Sequence, residues 1–151
     1  MTGPEDAVVS VAALAQGFEL ATRLAHARAH AEGLYPAQWA ALRYFKTAPR
    51  ERSTAMALAR YQGLAFGPVS RTVRTLITRG YLQKCGSAGR GRSEALELTE
   101  QGESLLARDP LAPIVPALAA LTGPERAALG SALASVLQAF AGVGAPESPQ
   151  K

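Results

Sequence analysis

The chain has 151 residues, of which 48% are hydrophobic and 19% charged, with a net charge of +4. This length suits one globular domain, and the absence of an uninterrupted apolar run of about 18 residues predicts that no helix spans a membrane. Glu5 and Asp6 stand where a signal peptide would carry basic residues, and the single cysteine, Cys85, excludes an internal disulfide, so we expect a cytoplasmic protein.

The first part of the chain predicts two helices. Residues 7–31 are alanine-rich with apolar side chains at helical spacing, and Gly33 ends this predicted helix. Pro36 stands at the start of the second helix, because proline is favoured in a first helical turn. The apolar face of the second helix carries Trp39, Leu42 and Phe45.

A polar connector then leads to a third helix and an amphipathic fourth. Ser53 is predicted to cap the third helix, whose Met56, Leu58 and Ala59 would point inward. The segment "GLAFG" predicts a turn, and Gly80 closes the helix that follows it. One face of this fourth helix carries Val69, Val73, Leu76 and Ile77, and the opposite face carries Ser70, Arg71, Arg74, Thr75 and Thr78.

A hairpin and three further helices are predicted beyond Gly80. Residues 81–85 and 94–98 read as strands joined by the flexible basic loop "GSAGRGRS". A helix from Thr99 through Leu106 follows, and three prolines predict a break near Asp109 before a shorter helix to Leu121. The last predicted helix covers 122–140 with Thr122 as its cap, and residues 141–151 are predicted to fray.

The charges of the chain are segregated. Residues 52–92 contain eight Lys or Arg and no Asp or Glu, a charge of +8, whereas the rest of the chain carries −4. A solvated surface normally mixes the two signs. The one-signed segment therefore indicates a surface for a polyanion, although chance clustering on a solvated face is the simpler alternative.

The order of helix, helix, turn, basic helix, strand, basic loop and strand is that of a winged helix-turn-helix. A helix fits the DNA major groove, where arginine can bond guanine, and a glycine-rich basic loop fits the narrow minor groove. Backbone amides at helix starts near Ser53 and Gly67 are candidates for phosphate contacts. Acidic residues on this face would oppose the phosphates, which accounts for their absence.

The sequence from about Leu34 to Leu106 resembles the MarR (multiple antibiotic resistance regulator) family of transcription factors. The similarity lies in "LYPAQWAAL", in "LARYQGLAFGPVSRTVRTLITRGYL" and in "RGRSEALELTEQG". It implies a mainly α fold with a small β-hairpin wing, a single MarR-like domain over 1–151. Within it, 34–98 would form the DNA-binding lobe, and 6–32 and 99–141 the dimerisation helices.

The resemblance also implies a homodimer that presents two recognition helices and two wings to double-stranded DNA. Apart from the resemblance, the apolar residues of the last helix, from Leu129 to Phe140, form a stripe that requires a packing partner. The wing-tip arginine falls on Arg92, and Arg90 replaces the acid of the family's Asp-x-Arg wing motif. The recognition-helix contacts fall on Pro68, Ser70, Arg71, Thr72, Arg74 and Thr75.

Other residues raise questions that DNA binding does not answer. His26 and His30 share one helix face, but two imidazoles make a weak metal site, so we expect no metal and no cofactor. Cys85 follows Lys84 at the base of the wing and reads as structural, with oxidant sensing as the alternative. Candidates for a small-molecule effector pocket, with plain core packing as the alternative, are His26, His30, Tyr35, Trp39 and Tyr44.

The sequence therefore predicts a DNA-binding transcriptional regulator, which the resemblance makes a ligand-responsive repressor. The alternative is a winged-helix module that binds other proteins and no longer reads specific DNA. An enzyme is not expected, because the sequence holds no nucleophile set, phosphate loop or paired acids. The operator, the regulated genes and the effector do not follow from the sequence.

Overall fold

A computed structural model describes residues 9–142. The predicted helical residues 7 and 8 and the predicted frayed residues 143–151 lie outside this range. Within it, an antiparallel β-hairpin stands among α-helices, which confirms the predicted fold class. The elements are α1 (Val11–Arg28), α2 (Pro36–Thr47), a 3-10 turn (Arg50–Arg52), α3 (Ala55–Gln62), α4 (Phe66–Thr78), β1 (Leu82–Ser87), β2 (Glu94–Leu98), α5 (Glu100–Leu106), α6 (Ile114–Ala119) and α7 (Gly123–Gly142).

Helix α1 is shorter at both ends than the predicted 7–31. The Ala13 N–H donates to Ser10 Oγ at 3.1 Å, so Ser10 caps the helix and it begins at Val11. The helix ends at Arg28, and the chain then turns through Glu32 and Gly33, whose φ angles are +54° and +69°. Gly33 therefore belongs to the turn into α2 and lies beyond the helix end.

Helix α3 begins one residue later than its predicted cap implies. The Thr54 side chain accepts a bond from the Ala57 N–H at 3.1 Å, so Thr54 is the cap and the prediction for Ser53 is wrong. Ser53 instead pairs with β2: its carbonyl accepts from the Leu96 N–H at 2.7 Å, and its hydroxyl donates to the Leu96 carbonyl. The predicted inward position of Met56 is also wrong, because 42% of this residue is exposed.

The core lies in the lobe between α2 and α5. As predicted, the apolar face of α2 is buried, and Trp39 and Leu42 are completely inaccessible to solvent. Leu58 from α3, Leu76 from α4 and Leu82 from β1 complete the same cluster. This burial fixes α2, α3, α4 and the hairpin relative to one another.

Helix α5 approaches the start of the hairpin closely at Gly102. A Cβ at Gly102 would lie 2.2 Å from the Tyr81 carbonyl oxygen, so only glycine fits there. The preceding Thr99 caps α5, since its hydroxyl accepts from the Gly102 N–H at 3.0 Å, and donates to the Gly80 carbonyl at 2.6 Å. The end of the quoted segment "RGRSEALELTEQG" is therefore a capped helix start that packs against the Tyr81 backbone.

The predicted helix break near Asp109 is confirmed, and it forms a joint between the lobe and the last two helices. Arg43 of α2 binds Asp109 with Nε and Nη2 at 2.7 and 2.6 Å, and the Leu111 N–H donates to the same carboxylate at 2.8 Å. Helix α6 ends at Ala119, two residues before the predicted Leu121.

Helix α7 has the predicted cap but ends later than predicted. The Glu125 N–H donates to Thr122 Oγ1 at 3.4 Å, which confirms Thr122 as the cap. The Glu125 carboxylate accepts from the Thr122 N–H and hydroxyl, both at 2.7 Å. These bonds lower the pKa of Glu125. The helix continues to Gly142, two residues beyond the predicted end.

Apolar side chains remain exposed on α1, α6 and α7. Helices α1 and α6 bury no residue within the chain. Helices α1 and α7 meet where the Phe18 and Phe140 rings stack at a centroid distance of 6.3 Å. In the described part of the chain, no helix combines the length and apolarity that a membrane crossing requires. The large exposed apolar residues of these three helices are Val11, Leu14, Leu20, Leu24, Ile114, Val115, Leu118, Leu129, Leu133, Leu137 and Phe140.

Candidate nucleic-acid interface

Helix α4 separates an apolar face from a polar one. Val69, Val73 and Leu76 are buried, whereas Arg71 and Arg74 are exposed. Neither arginine forms an ion pair within residues 9–142. The other predicted contact residues on the helix are Pro68, which is exposed, and Ser70, Thr72 and Thr75, which are partly exposed.

The start of α4 differs from the prediction. The predicted "GLAFG" turn stops at Ala65, because Phe66 and Gly67 already have helical conformation. Pro68 therefore falls in the first turn of α4, where its missing N–H leaves no helix bond unmade. The first turn contains no acidic residue and Ala65 offers no side-chain cap, so the positive end of the helix dipole is not offset there.

Two other basic residues of this region have partners within the protein. The Arg79 guanidinium donates to the Gly33 carbonyl at 2.7 Å and lies over the Tyr81 ring at 5.3 Å. Lys84 forms an ion pair with Glu94 across the hairpin, at 2.8 Å. Arg79 therefore joins α4 to the turn before α2, and the charge pattern alone did not separate these two residues from Arg71 and Arg74.

The wing presents two further arginines. Strands β1 and β2 pair antiparallel, with Leu82 opposite Leu98 and Ser87 opposite Glu94. Arg90 and Arg92 are exposed in the loop between the strands, and no ion pair holds either side chain among the residues that the structure describes. The polar face of α4 and the wing together carry four unpaired guanidinium groups.

Ser53 does not offer the predicted contact. It is 5% exposed, its N–H donates to the Arg50 carbonyl at 3.2 Å, and its hydroxyl donates to Leu96. The helix-start amide predicted there is therefore already used. Thr54, the actual cap of α3, is also buried, with 7% exposure.

The residues predicted to line an effector pocket fall into separate places. The His26 and His30 rings are 5.5 Å apart, and the Tyr35 ring lies 5.8 Å from His30. Trp39 is buried in the core, where its Nε1 donates to the Ala31 carbonyl at 3.4 Å. The described residues contain no cluster of three or more His, Cys, Asp or Glu that could hold a metal ion.

Tyr44 lines a different space, a cleft of about 1160 Å³ between α2, the 3-10 turn, α3 and the wing. Its hydroxyl donates to the Arg52 carbonyl at 2.7 Å, and its ring lies 5.1 Å from the Tyr61 ring. Partial burial raises the pKa of Tyr44. The charge of Arg52 acts in the opposite direction, and Tyr61 raises this pKa further. The sequence did not single out Arg60 or Tyr61, which line this cleft from the last turn of α3.

Cys85, the single cysteine, is partly buried at the base of the wing. Nη1 of Arg50 lies 3.7 Å from its Sγ, and Nη2 donates to its carbonyl oxygen at 2.6 Å. The sequence suggested Lys84 as the cationic neighbour, but Lys84 binds Glu94. The positive group beside the thiol therefore comes from the 3-10 turn.

The MarR family model matches residues 32–93, which span α2 to the wing. This segment of the chain is similar to the MarR family. No curated protein matches the chain. The fold over 86–87% of the chain is similar to that of solved structures of MarR-family transcriptional regulators, so the likeness extends beyond the matched segment.

Three solved structures illustrate the likeness. A MarR/EmrR family transcriptional regulator from Acinetobacter sp. ADP1 is 22% identical, with a TM-score of 0.63 and coverage of 87% of this chain and 96% of that one. A probable transcriptional regulator from Pseudomonas aeruginosa is 25% identical, with a TM-score of 0.55 and coverage of 84% and 96%. A MepR mutant from S. aureus, bound to an oligodeoxyribonucleotide, is 16% identical, with a TM-score of 0.55 and coverage of 87% and 98%.

Proposed function

We propose that the protein is a transcriptional regulator that binds a specific double-stranded DNA sequence as a homodimer. The observation that carries this proposal is the pairing of α4 with the wing. Both expose arginines that have no ion-pair partner in the described structure: Arg71 and Arg74 on α4, and Arg90 and Arg92 on the wing. The DNA-bound MepR relative, which has the same fold, supports the same use.

The two basic elements suit the two grooves of duplex DNA. In the proposed complex, α4 lies in the major groove, where Arg71 and Arg74 contact base edges or phosphates. Ser70, Thr72 and Thr75 contact the neighbouring backbone, and Pro68 packs at the helix start. The wing places Arg92 in the minor groove, whose negative potential attracts arginine, with Arg90 beside it.

The exposed apolar faces support the dimer. Monomers rarely leave so many large apolar residues uncovered as α1, α6 and α7 do here. A second copy of the chain would bury them through a two-fold interface. Such a dimer would read a pseudo-palindrome whose half-sites are about 10 bp apart.

The regulatory outcome is a further part of the proposal. We expect repression in the cytoplasm, relieved by a small molecule that changes the spacing of the two recognition helices. A ligand can act this way only if it binds the DNA-competent and DNA-incompetent dimers with different affinity. His26, His30 and Tyr35, which lie together between α1 and α2, are the part of the predicted effector pocket that supports this.

Selection of DNA from a random library tests the function without knowledge of the operator. Duplexes with about 30 random base pairs cover two half-sites and their flanks. Fluorescence anisotropy then compares a selected duplex with its scrambled version across a salt series. We expect an enriched pseudo-palindrome and binding that weakens steeply with salt.

Single substitutions locate the binding surface. Arg71→Ala and Arg92→Ala should each weaken specific binding by about tenfold, since each removes one guanidinium from the proposed interface. Arg23→Ala, which removes a charge paired with Glu19 on α1, is the matched control and should leave affinity unchanged. Failure to enrich any duplex, with equal weak binding by all variants, would instead favour the protein-interaction module.

A further inference from the structure

The base of the wing contains an irregularity that sets the direction of the loop beyond it. Lys84 pairs with Leu96 and Ser87 with Glu94, so two residues of β1, Cys85 and Gly86, face one residue of β2. This is a β-bulge, which bends its strand and increases the local twist. Gly86 has a φ of +96°, a conformation that other residues rarely adopt.

Arg50 binds this bulge from outside the hairpin. Its Nη2 donates to the Cys85 carbonyl oxygen at 2.6 Å, and its Nη1 lies 3.7 Å from Cys85 Sγ. A Cβ added to Gly86 would lie 3.4 Å from the same Nη2, so the guanidinium packs directly on the bend. Two nitrogens of one planar group fix the bulge in direction as well as in distance.

The position of Arg50 in the chain makes it a rigid support. It opens the 3-10 turn that follows α2, and α2 contributes the completely buried Trp39 and Leu42 to the core. Three residues further on, Ser53 bonds Leu96 on the other strand of the hairpin. The same short segment therefore holds both strands at the point where the wing leaves the lobe.

The wing arginines have no acidic partner of their own in the described structure. Arg90 and Arg92 stand two residues apart and carry the same charge. At the loop itself, the Ser87 hydroxyl is 2.7 and 3.1 Å from the Gly89 and Gly91 carbonyls, which closes the tip but gives it no fixed orientation relative to the lobe.

We propose that Arg50 is a positioning residue for DNA binding, which holds the bulge at Cys85–Gly86 and thereby directs Arg92 into the minor groove. The inference rests on the proposed DNA-binding function and adds a residue outside the predicted interface. Arg50 acts here through the backbone of the wing, and Arg92 makes the contact with DNA.

A double-mutant cycle on a selected duplex tests the coupling between the two residues. Arg92→Ala is expected to weaken binding by about tenfold, and Arg50→Ala by about fivefold, because the wing is then present but misdirected. The double variant should bind within about twofold of Arg92→Ala alone, since a positioning residue has nothing left to position. Independent contacts would instead multiply to about fiftyfold, which would overturn the proposal.

A second variant and a footprint separate positioning from charge and from folding. Arg50→Lys keeps the charge but loses the planar fork, so it should weaken binding as Arg50→Ala does; wild-type affinity would identify a simple phosphate contact and overturn the proposal. Hydroxyl-radical footprints of either variant should lose protection in the minor groove under the wing and retain protection in the major groove. Unchanged footprints also overturn it, whereas failure of the wild-type protein to select any duplex refutes the proposed function itself.

Discussion

The Arg43–Asp109 ion pair ties the winged-helix lobe to the joint before α6, and Asp109→Asn tests what it contributes. The two side chains are 28% and 18% exposed, so solvent screens the pair only in part. The carboxylate accepts two bonds from Arg43 and one from Leu111, and asparagine would retain at most part of this set. Hydrogen bonds to charged groups contribute about 1.5–3 kcal/mol each. Because the pair is partly exposed and asparagine replaces some of the bonds, we expect the free energy of unfolding to fall by about 1–2 kcal/mol.

The same pair predicts a pH dependence with a definite sign. Partial burial raises the pKa of Asp109, but the bonds from Arg43 and Leu111 and the charge of Arg43 together outweigh it, so the pKa lies below its ordinary value. A lowered pKa in the folded state stabilises the protein above the unfolded pKa, and this stabilisation is lost as pH falls through the folded pKa. The stability difference between wild type and Asp109→Asn should therefore be full near neutral pH and shrink in acid.

Thermal unfolding followed by circular dichroism at several pH values measures both effects. At neutral pH the variant should melt about 2–8 °C below wild type. Glu103→Gln, which breaks the more exposed Lys46–Glu103 pair, is the control. It should lower the free energy of unfolding by less than about 1 kcal/mol. Equal losses in the two variants, or a difference for Asp109→Asn that does not change with pH, would refute the reasoning.

Three further predictions concern folding and assembly. Gly102→Ala places a Cβ 2.2 Å from the Tyr81 carbonyl and should destabilise the lobe by about 2 kcal/mol or more in chemical denaturation, and a loss below 0.5 kcal/mol would contradict the close packing. Thr54→Ala removes the α3 cap and should cost about 1 kcal/mol in the same assay, whereas an unchanged midpoint would contradict the capping bond. Leu137→Glu places a charge on the exposed apolar face of α7 and should convert the proposed dimer to monomers in sedimentation velocity. The control Leu64→Glu, on the lobe, should remain dimeric. A dimeric Leu137→Glu variant would exclude this face from the interface.

The sequence predicted those features that depend on periodicity and on neighbouring residues. The apolar spacing of α2 and α4 identified their buried faces, and the prolines after Asp109 identified the helix break. The α3 cap was missed by one residue because Ser53 and Thr54 have equivalent capping chemistry. What distinguishes them is the pairing of Ser53 with Leu96, a contact between residues 43 positions apart.

The roles of individual arginines were not predictable from their charge. Arg50 and Arg79 bond carbonyls of residues 35 and 46 positions away, and nothing in the local sequence marks those acceptors. The pattern of charge identified a basic segment correctly but did not show that Arg79 and Lys84 have partners within the protein. The residues of the predicted effector pocket likewise lie apart, because Trp39 is buried in the core and α2 turns Tyr44 toward α3 and away from His30.

Helix α1 and its aromatic partner in α7 lie on opposite sides of the lobe in the chain, so they are synthesised at different times. Helix α1 is synthesised before the lobe, yet it has no buried residue, and its stacked aromatic partner, Phe140, is synthesised after the lobe. The lobe between them closes its own core from α2 to α5, so it can fold while α7 is still inside the exit tunnel. Helix α1 therefore emerges before the lobe but is covered only after it, and until then the nascent chain exposes an apolar surface to chaperones or to a neighbouring nascent copy.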